Sequence, residues 1–160
     1  MAEEKTNNGK DDGPTFSVHN VYVKDISFEG PNSPSVFSEK WQPKLDFDLQ
    51  MGHQSLADGI YEVVLNVTVN VKLGESEKVA FIIEVQQAGV FSINGFSDEQ
   101  VEQVLATTAP GILFPYVRET VSSCVTRGGF PQLVLPPMNF DAMYHNHLEE
   151  NKKSAAQDGK

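Results

Sequence analysis

IYEVVLNVTVNVKL, residues Ile60 to Leu73, is the stretch on which the fold turns. Tyr61, Val63, Leu65, Val67, Val69, Val71 and Leu73 take every odd position, and Glu62, Asn66, Thr68, Asn70 and Lys72 alternate with them. Only Ile60 and Val64 interrupt the polar series. A period of two puts successive side chains on opposite faces of a strand. This strand therefore has one dry and one wet side, as an antiparallel sheet allows. GESE (74–77) reads as a turn, and KVAFIIEVQQAGVFSI (78–93) as the partner strand of a hairpin.

Upstream, FSVHNVYVKDISFE (16–29) reads as a strand with Phe16, Val18, Tyr22, Ile26 and Phe28 on one face. Val21, Val23, Asp25, Ser27 and Glu29 fall on the other. Residues 31–59 hold three prolines and one short alternating piece, so they read as a long crossing loop around a short strand. Downstream the period becomes helical. Ser97-Asp98-Glu99-Gln100 is a capping-box sequence opening a helix that ends near Pro110. A longer helix covers residues 111–127 and stops at Gly128-Gly129. Asn139 caps a third, with Phe140, Met143, Tyr144, His147 and Leu148 on one stripe. Strands first and helices afterwards predict an α+β fold, one domain over residues 15–150, with disordered tails at 1–14 and 151–160.

The formal charge of −10 is carried mainly by the body of the chain. Residues 1–13 hold four acids and two lysines, and residues 149–160 three of each, so most of the surplus lies between them. That argues against a nucleic-acid partner and for basic ones. MAEEKTNNGKDDG lacks the basic end and apolar stretch of a secretion signal. No window approaches the ~18 apolar residues of a membrane span. The expectation is a cytoplasmic protein without membrane insertion.

Catalytic patterns are weak, and no enzyme, cofactor or metal is expected. GESEK lacks the spacing of a phosphate loop. His145 and His147 point to different helix faces, with no cysteine nearby to complete a zinc set. Asp46 and Asp48 could share a strand face as hydrolase acids do, but they have no neighbours to tune them. Ser122-Ser123-Cys124 has no base beside it, and Asn66-Val67-Thr68 lies inside a strand.

Apolar side chains are in surplus instead. The crossing segment carries Val36, Phe37, Trp41, Leu45, Phe47, Leu49 and Met51. The long helix adds Ile112, Tyr116, Val117, Val121, Cys124 and Val125, and the last helix brings its own stripe. Unburied apolar area of that size signals association or a binding groove.

VYVKDISFEGPNSP (21–34), YEVVLNVTV (61–69), FIIEVQQAGVFSI (81–93), LFPYVRETV (113–121) and RGGFPQLVLPPMNFDA (127–142) resemble the SecB family of bacterial protein-export chaperones. The resemblance runs in order over residues 16–148. It implies a four-stranded antiparallel sheet with two main helices on one side, assembled as a homotetramer, a dimer of dimers. It implies an ATP-independent chaperone that keeps precursor proteins unfolded and delivers them to the motor ATPase SecA. The client groove would have Val36, Phe37, Trp41, Leu45, Phe47, Leu49 and Met51 on one wall. Phe140, Met143, Tyr144 and Leu148 would form the other. Asp25, Glu29, Ile82 and Glu84 match the family's motor-docking surface, and the 112–127 helix would supply much of the tetramer contact. The tail from Glu150 has one fewer acid than base, unlike the acidic tails that assist docking, so it is given no such role. A stiff connector, Arg127 to Asn139, would join the two helices, pinned by Phe130, Leu133 and Leu135. The competing readings are a delivery adaptor, a general anti-aggregation holdase, or a small hydrolase using Asp46 and Asp48.

Overall fold

Alternation of the kind seen at residues 60–73 governs the middle of the molecule. The computed structural model describes residues 13–157 and residue 159. Its four strands, β1 (Thr15–Glu29), β2 (Pro43–Ala57), β3 (Ile60–Leu73) and β4 (Val79–Asn94), form one antiparallel sheet in the order β1-β4-β3-β2. The odd-numbered side chains of β3 and β4 bury against the helices. They pair as Val71–Phe81, Val69–Ile83 and Val67–Val85. Among the described residues no helix packs on the opposite face.

Two expectations about strands are corrected. The crossing loop is confined to residues 30–42, with a 3₁₀ turn at Ser35–Ser38, and the strand after it runs the full length of β3. Most of β2 is exposed on both faces, as an edge strand can be, so its second half shows no hydrophobic alternation. Asp58-Gly59 closes the β2–β3 hairpin, the dipeptide such tight turns favour. Gly59 sits at φ +68°, where a Cβ would lie 2.0 Å from Asn94 Oδ1.

The second correction concerns β1. His19 and Lys24 are extra residues, because Val18 and Asn20 pair with Phe91 and Val90, and Val23 and Asp25 with Gln87 and Gln86. These bulges turn Val21 and Val23 to the helix side and Tyr22 to the open side, the reverse of simple alternation. Two bulges restore the original parity, so Asp25 and Glu29 stand on the open face as expected.

Helix α1 (Asp98–Ala106) begins with the expected capping box. Ser97 Oγ accepts from the Gln100 amide, and Gln100 Oε1 accepts from the Ser97 amide. Helix α2 (Thr108–Arg127) lies on β3 and β4 with Leu113, Val117, Val121 and Val125 buried at spacing four. Its end at Gly128 and Gly129 follows the sequence, with Gly129 at φ +87°. Helix α3 (Phe140–Gln157) touches α1 and α2.

The disordered tail expected from residue 151 is helical through Gln157. Lys152, Lys153, Ala155, Ala156 and Gln157 are good helix formers, and no glycine or proline interrupts them before Gly159. The tail expected over residues 1–14 lies outside the described residues as far as position 12; Gly13 and Pro14 lead, exposed, into β1.

Candidate functional site

The connector between α2 and α3 builds the first candidate site. It has no regular structure between Pro131 and Asn139, and its three prolines have no amide hydrogen to leave unpaired. Phe130 anchors it. The ring is buried, with its centroid 5.0 Å from that of Phe81 and 6.4 Å from that of Phe28. The same ring packs with Phe37 at 5.2 Å and Trp41 at 5.9 Å. Leu135 is buried and Leu133 packs on the core, so all three expected anchors hold the connector down.

Two apolar recesses open between the connector and β2, meeting at Leu45. One, about 130 Å³, has Trp41, Pro43 and Leu45 on one side, Pro131 and Leu133 on the other, and Phe81 among its lining. The other, about 170 Å³, lies between Leu45 and Phe47 on β2 and Leu135, Pro136 and Met138 of the connector. Phe114 completes a lining made of apolar side chains alone. The segment bearing Trp41 is tied down at Glu39. Its carboxylate accepts from Lys78 Nζ at 2.5 Å and from Ser76 Oγ at 2.8 Å, and the lysine bond, then the serine bond, lowers its pKa.

The expected wall residues divide. Phe37 is 51% exposed, Trp41, Leu45 and Met51 also present surface, and Phe47 and Leu49 are half-buried. Val36 is not a wall residue: at 3% exposure it belongs to the core. Phe140 is likewise core, 4% exposed and edge-on to Phe114 at 5.9 Å. Met143 and Tyr144 are half-buried and Leu148 is exposed on α3, but α3 lines neither recess. The second wall is the connector, whose irregular backbone has no period from which a face could be read.

The helix residues expected at a tetramer contact divide too. Val117, Val121 and Val125 are fully buried under α2 against the chain's own sheet. Ile112, Tyr116 and Cys124 retain surface, Tyr116 being 50% exposed. A helix lying on a sheet hides one stripe, and the sequence cannot separate that stripe from its flanks.

The open face of the sheet is the second candidate site. Across it run the rows Glu29–Ile82–Asn70–Asp46, Ser27–Glu84–Thr68–Asp48 and Asp25–Gln86–Asn66–Gln50. Asp25, Glu29, Ile82 and Glu84 therefore gather on adjacent strands, and Asp46 and Asp48 extend the same negative face. A polar trough of about 310 Å³ runs among Asp25, Glu84, Gln86, Asn66 and Gln50.

Beyond this trough lies Glu62, which the alternation marks as an ordinary wet-face residue. It is 5% exposed, the only buried charged side chain among the described residues. Tyr22 donates its hydroxyl to Oε1, Lys24 Nζ lies 2.9 Å from the same oxygen, and Gln54 Nε2 donates to Oε2 at 2.7 Å. Those bonds, from Tyr22 first, then Lys24 and Gln54, hold its pKa down at about 2. Burial, then the bond to Glu62, pushes the Tyr22 phenol up to about 12. Ala88, opposite both Tyr22 and Val64 on this face, is fully buried beneath the cluster. The apolar pair Ile60 and Val64 around Glu62 is the signal in the sequence that marks this spot as covered.

Residues 9–151 match the family model for SecB, preprotein translocase subunit. The chain belongs to the SecB family. A SecB relative in Marinobacter nauticus, a protein-export protein, is 46% identical over the whole of this chain and 97% of its own length. The SecB fold recurs at low identity. A SecB-like chaperone of Mycobacterium tuberculosis, solved in complex with a ChAD peptide from an antitoxin, superposes with a TM-score of 0.64. That likeness covers 78% of this chain and 91% of the other at 14% identity, and it speaks for the fold alone. No helix among the described residues is long and apolar enough to cross a membrane.

Proposed function

We propose that this SecB-family chain is a chaperone of protein export that works in the cytoplasm, holds unfolded precursors in its apolar groove and docks on the SecA motor through its acidic face. The observation that carries the groove assignment is the pair of recesses along β2, joined at Leu45 and walled by a proline-stiffened connector. Such a surface has few directional groups, so it accepts many apolar sequences and gives each contact little energy. A folded protein has buried its apolar side chains and offers nothing to hold.

β2 is also a sheet edge, whose unpaired backbone groups can align an extended client beside the recesses. Assembly into a homotetramer would repeat the groove, and linked sites raise avidity by ~10²–10⁴ over one site. Binding rather than catalysis is the activity. The acidic face suits a basic patch on the motor, with encounter slowed by salt.

The test is a double substitution, Trp41→Ala with Leu45→Ala, assayed with a permanently unfolded reduced polypeptide. Client affinity is expected to fall about tenfold or more, the scale of losing two apolar anchors, while SecA binding persists. Charge reversal by Glu29→Lys with Glu84→Lys should do the opposite. Wild-type client capture by the first variant, with assembly intact, removes the groove from the proposal.

A further inference from the structure

We propose that Glu62 is a positioning residue of the docking face, holding Lys24 away from the docking carboxylates and fixing the bulge that keeps Asp25 opposite Gln86. The inference rests on reading Asp25, Glu29, Ile82 and Glu84 as the motor-docking surface.

A buried carboxylate is costly, and a well-packed apolar residue in its place is often as stable or more so. Its presence calls for a reason other than stability, and the geometry points to β1. Lys24 is the extra residue of the second bulge, next in sequence to Asp25. The bulge could sit one residue further on with both ends of the strand unchanged. Lys24 would then stand opposite Gln86, and Asp25 would become the extra residue. A cation would replace an anion in the row that faces the motor.

The structure restrains this from both sides of the sheet. On the open side, Glu62 takes the Lys24 ammonium at 2.9 Å and the Tyr22 hydroxyl, reaching both across β4. The small side chain of Ala88 leaves room for that crossing. On the helix side, Gln87 Nε2 donates to the Tyr22 carbonyl at 3.0 Å, holding the backbone one turn of the pleat before the bulge. Gln54 steadies the carboxylate from the opposite edge of the sheet. Phe28, stacked on Phe81 at 5.8 Å, fixes the strand beyond the bulge, which leaves the position of the bulge itself to the Glu62 cluster.

The experiment titrates purified SecA against the full-length protein and its variants, with capture of an unfolded polypeptide measured in parallel. Glu62→Leu frees Lys24 and is expected to weaken SecA binding about tenfold, the scale of one charge-assisted contact. Client capture should be unchanged. Glu62→Gln keeps an acceptor for the Tyr22 hydroxyl but loses the ion pair, and its amide NH2 keeps a bond to Gln54 only if that side chain turns its own oxygen inward. An intermediate loss is expected, and this variant also serves if the leucine variant does not fold. The decisive arm adds Lys24→Met to either variant. Removing the stray cation should restore most of the lost affinity, which a general loss of stability would not allow.

Hydrogen exchange across residues 21–26 should show the bulge loosened in Glu62→Leu. Glu29→Lys with Glu84→Lys is the reference for docking itself. If that reference loses SecA while the Glu62 variants bind as wild type, or lose it without relief from Lys24→Met, the positioning role is overturned and docking stands. If the reference also binds as wild type, the docking reading falls and this inference with it.

Discussion

Acid should reveal what the bonds to Glu62 contribute to the fold. Its pKa in the folded chain, about 2, lies below its ordinary 4.5, so it contributes stability above that ordinary value. The contribution is lost as pH falls through the folded pKa. Denaturant midpoints of wild type and Glu62→Gln, followed from pH 6 downwards at one protein concentration, should converge between roughly pH 5 and pH 2. A gap independent of pH would mean that the carboxylate is not held by charge-assisted bonds. At this scale the sequence is informative where shape and chemistry coincide. Phe130, Leu133 and Leu135 are large apolar residues in a proline-stiffened segment, and they are its anchors. Val36 and Phe140 look the same in sequence as Phe37 and Trp41, yet the first two are core and the others surface. Residue type does not say which side of a chain faces its neighbours, and for Glu62 two of the three bonded residues, Tyr22 and Lys24, come from a strand remote in sequence.

Among the elements, β3, β4 and the start of α1 were legible because each has a strong local signal, a period of two or a capping box whose two hydrogen bonds form as written. Helix α1 ends at Ala106, and Pro110 falls in the first turn of α2, not near the end expected for α1. The edge strands were legible only in part: β1 matches its expected extent but not the facing of Val21 to Val23, and β2 was missed over most of its length. β2 buries little, so hydrophobic alternation fades after Met51, and only Asp58-Gly59 marks its end. The bulges in β1 are settled by pairing with β4, a partner more than fifty residues away along the chain. Gly59 tests how firmly the β2–β3 turn is set. Gly59→Ala would force a Cβ into a positive-φ site already occupied by Asn94. It is expected to cost about 1–2 kcal/mol or more in unfolding experiments. A neutral effect would mean that the turn can relax into another conformation and that the register of β2 has a different origin, such as the Gln54–Glu62 bond.

At the level of the whole molecule, α2 carries one stripe buried in the fold and another left on the surface. Val121 is fully buried beneath it, whereas Tyr116 projects outward. Val121→Glu should therefore abolish the fold, read as lost near-ultraviolet dichroism. Tyr116→Glu should leave the dichroism intact and lower the mass measured by light scattering, if the exposed stripe is the proposed contact between protomers. An unchanged mass for Tyr116→Glu would move that contact elsewhere. The sequence marks this helix as apolar without separating its buried half from its exposed half, since a stripe at spacing four is apolar whether it meets its own sheet or another chain.

The one-sided sheet has a consequence for the order of events. Ile83 and Glu84 are consecutive, yet one lies in the core beneath the groove side and the other on the bare face. With the proposed roles on opposite sides of a single layer, cargo and motor do not compete for space. A loaded chaperone can recruit its motor without first letting go, so a ternary complex is an allowed resting point rather than a collision. Docking then cannot evict the cargo by simple displacement. Release falls to whatever pulls the unfolded chain out of the apolar recesses, segment by segment, while each remaining contact still resists.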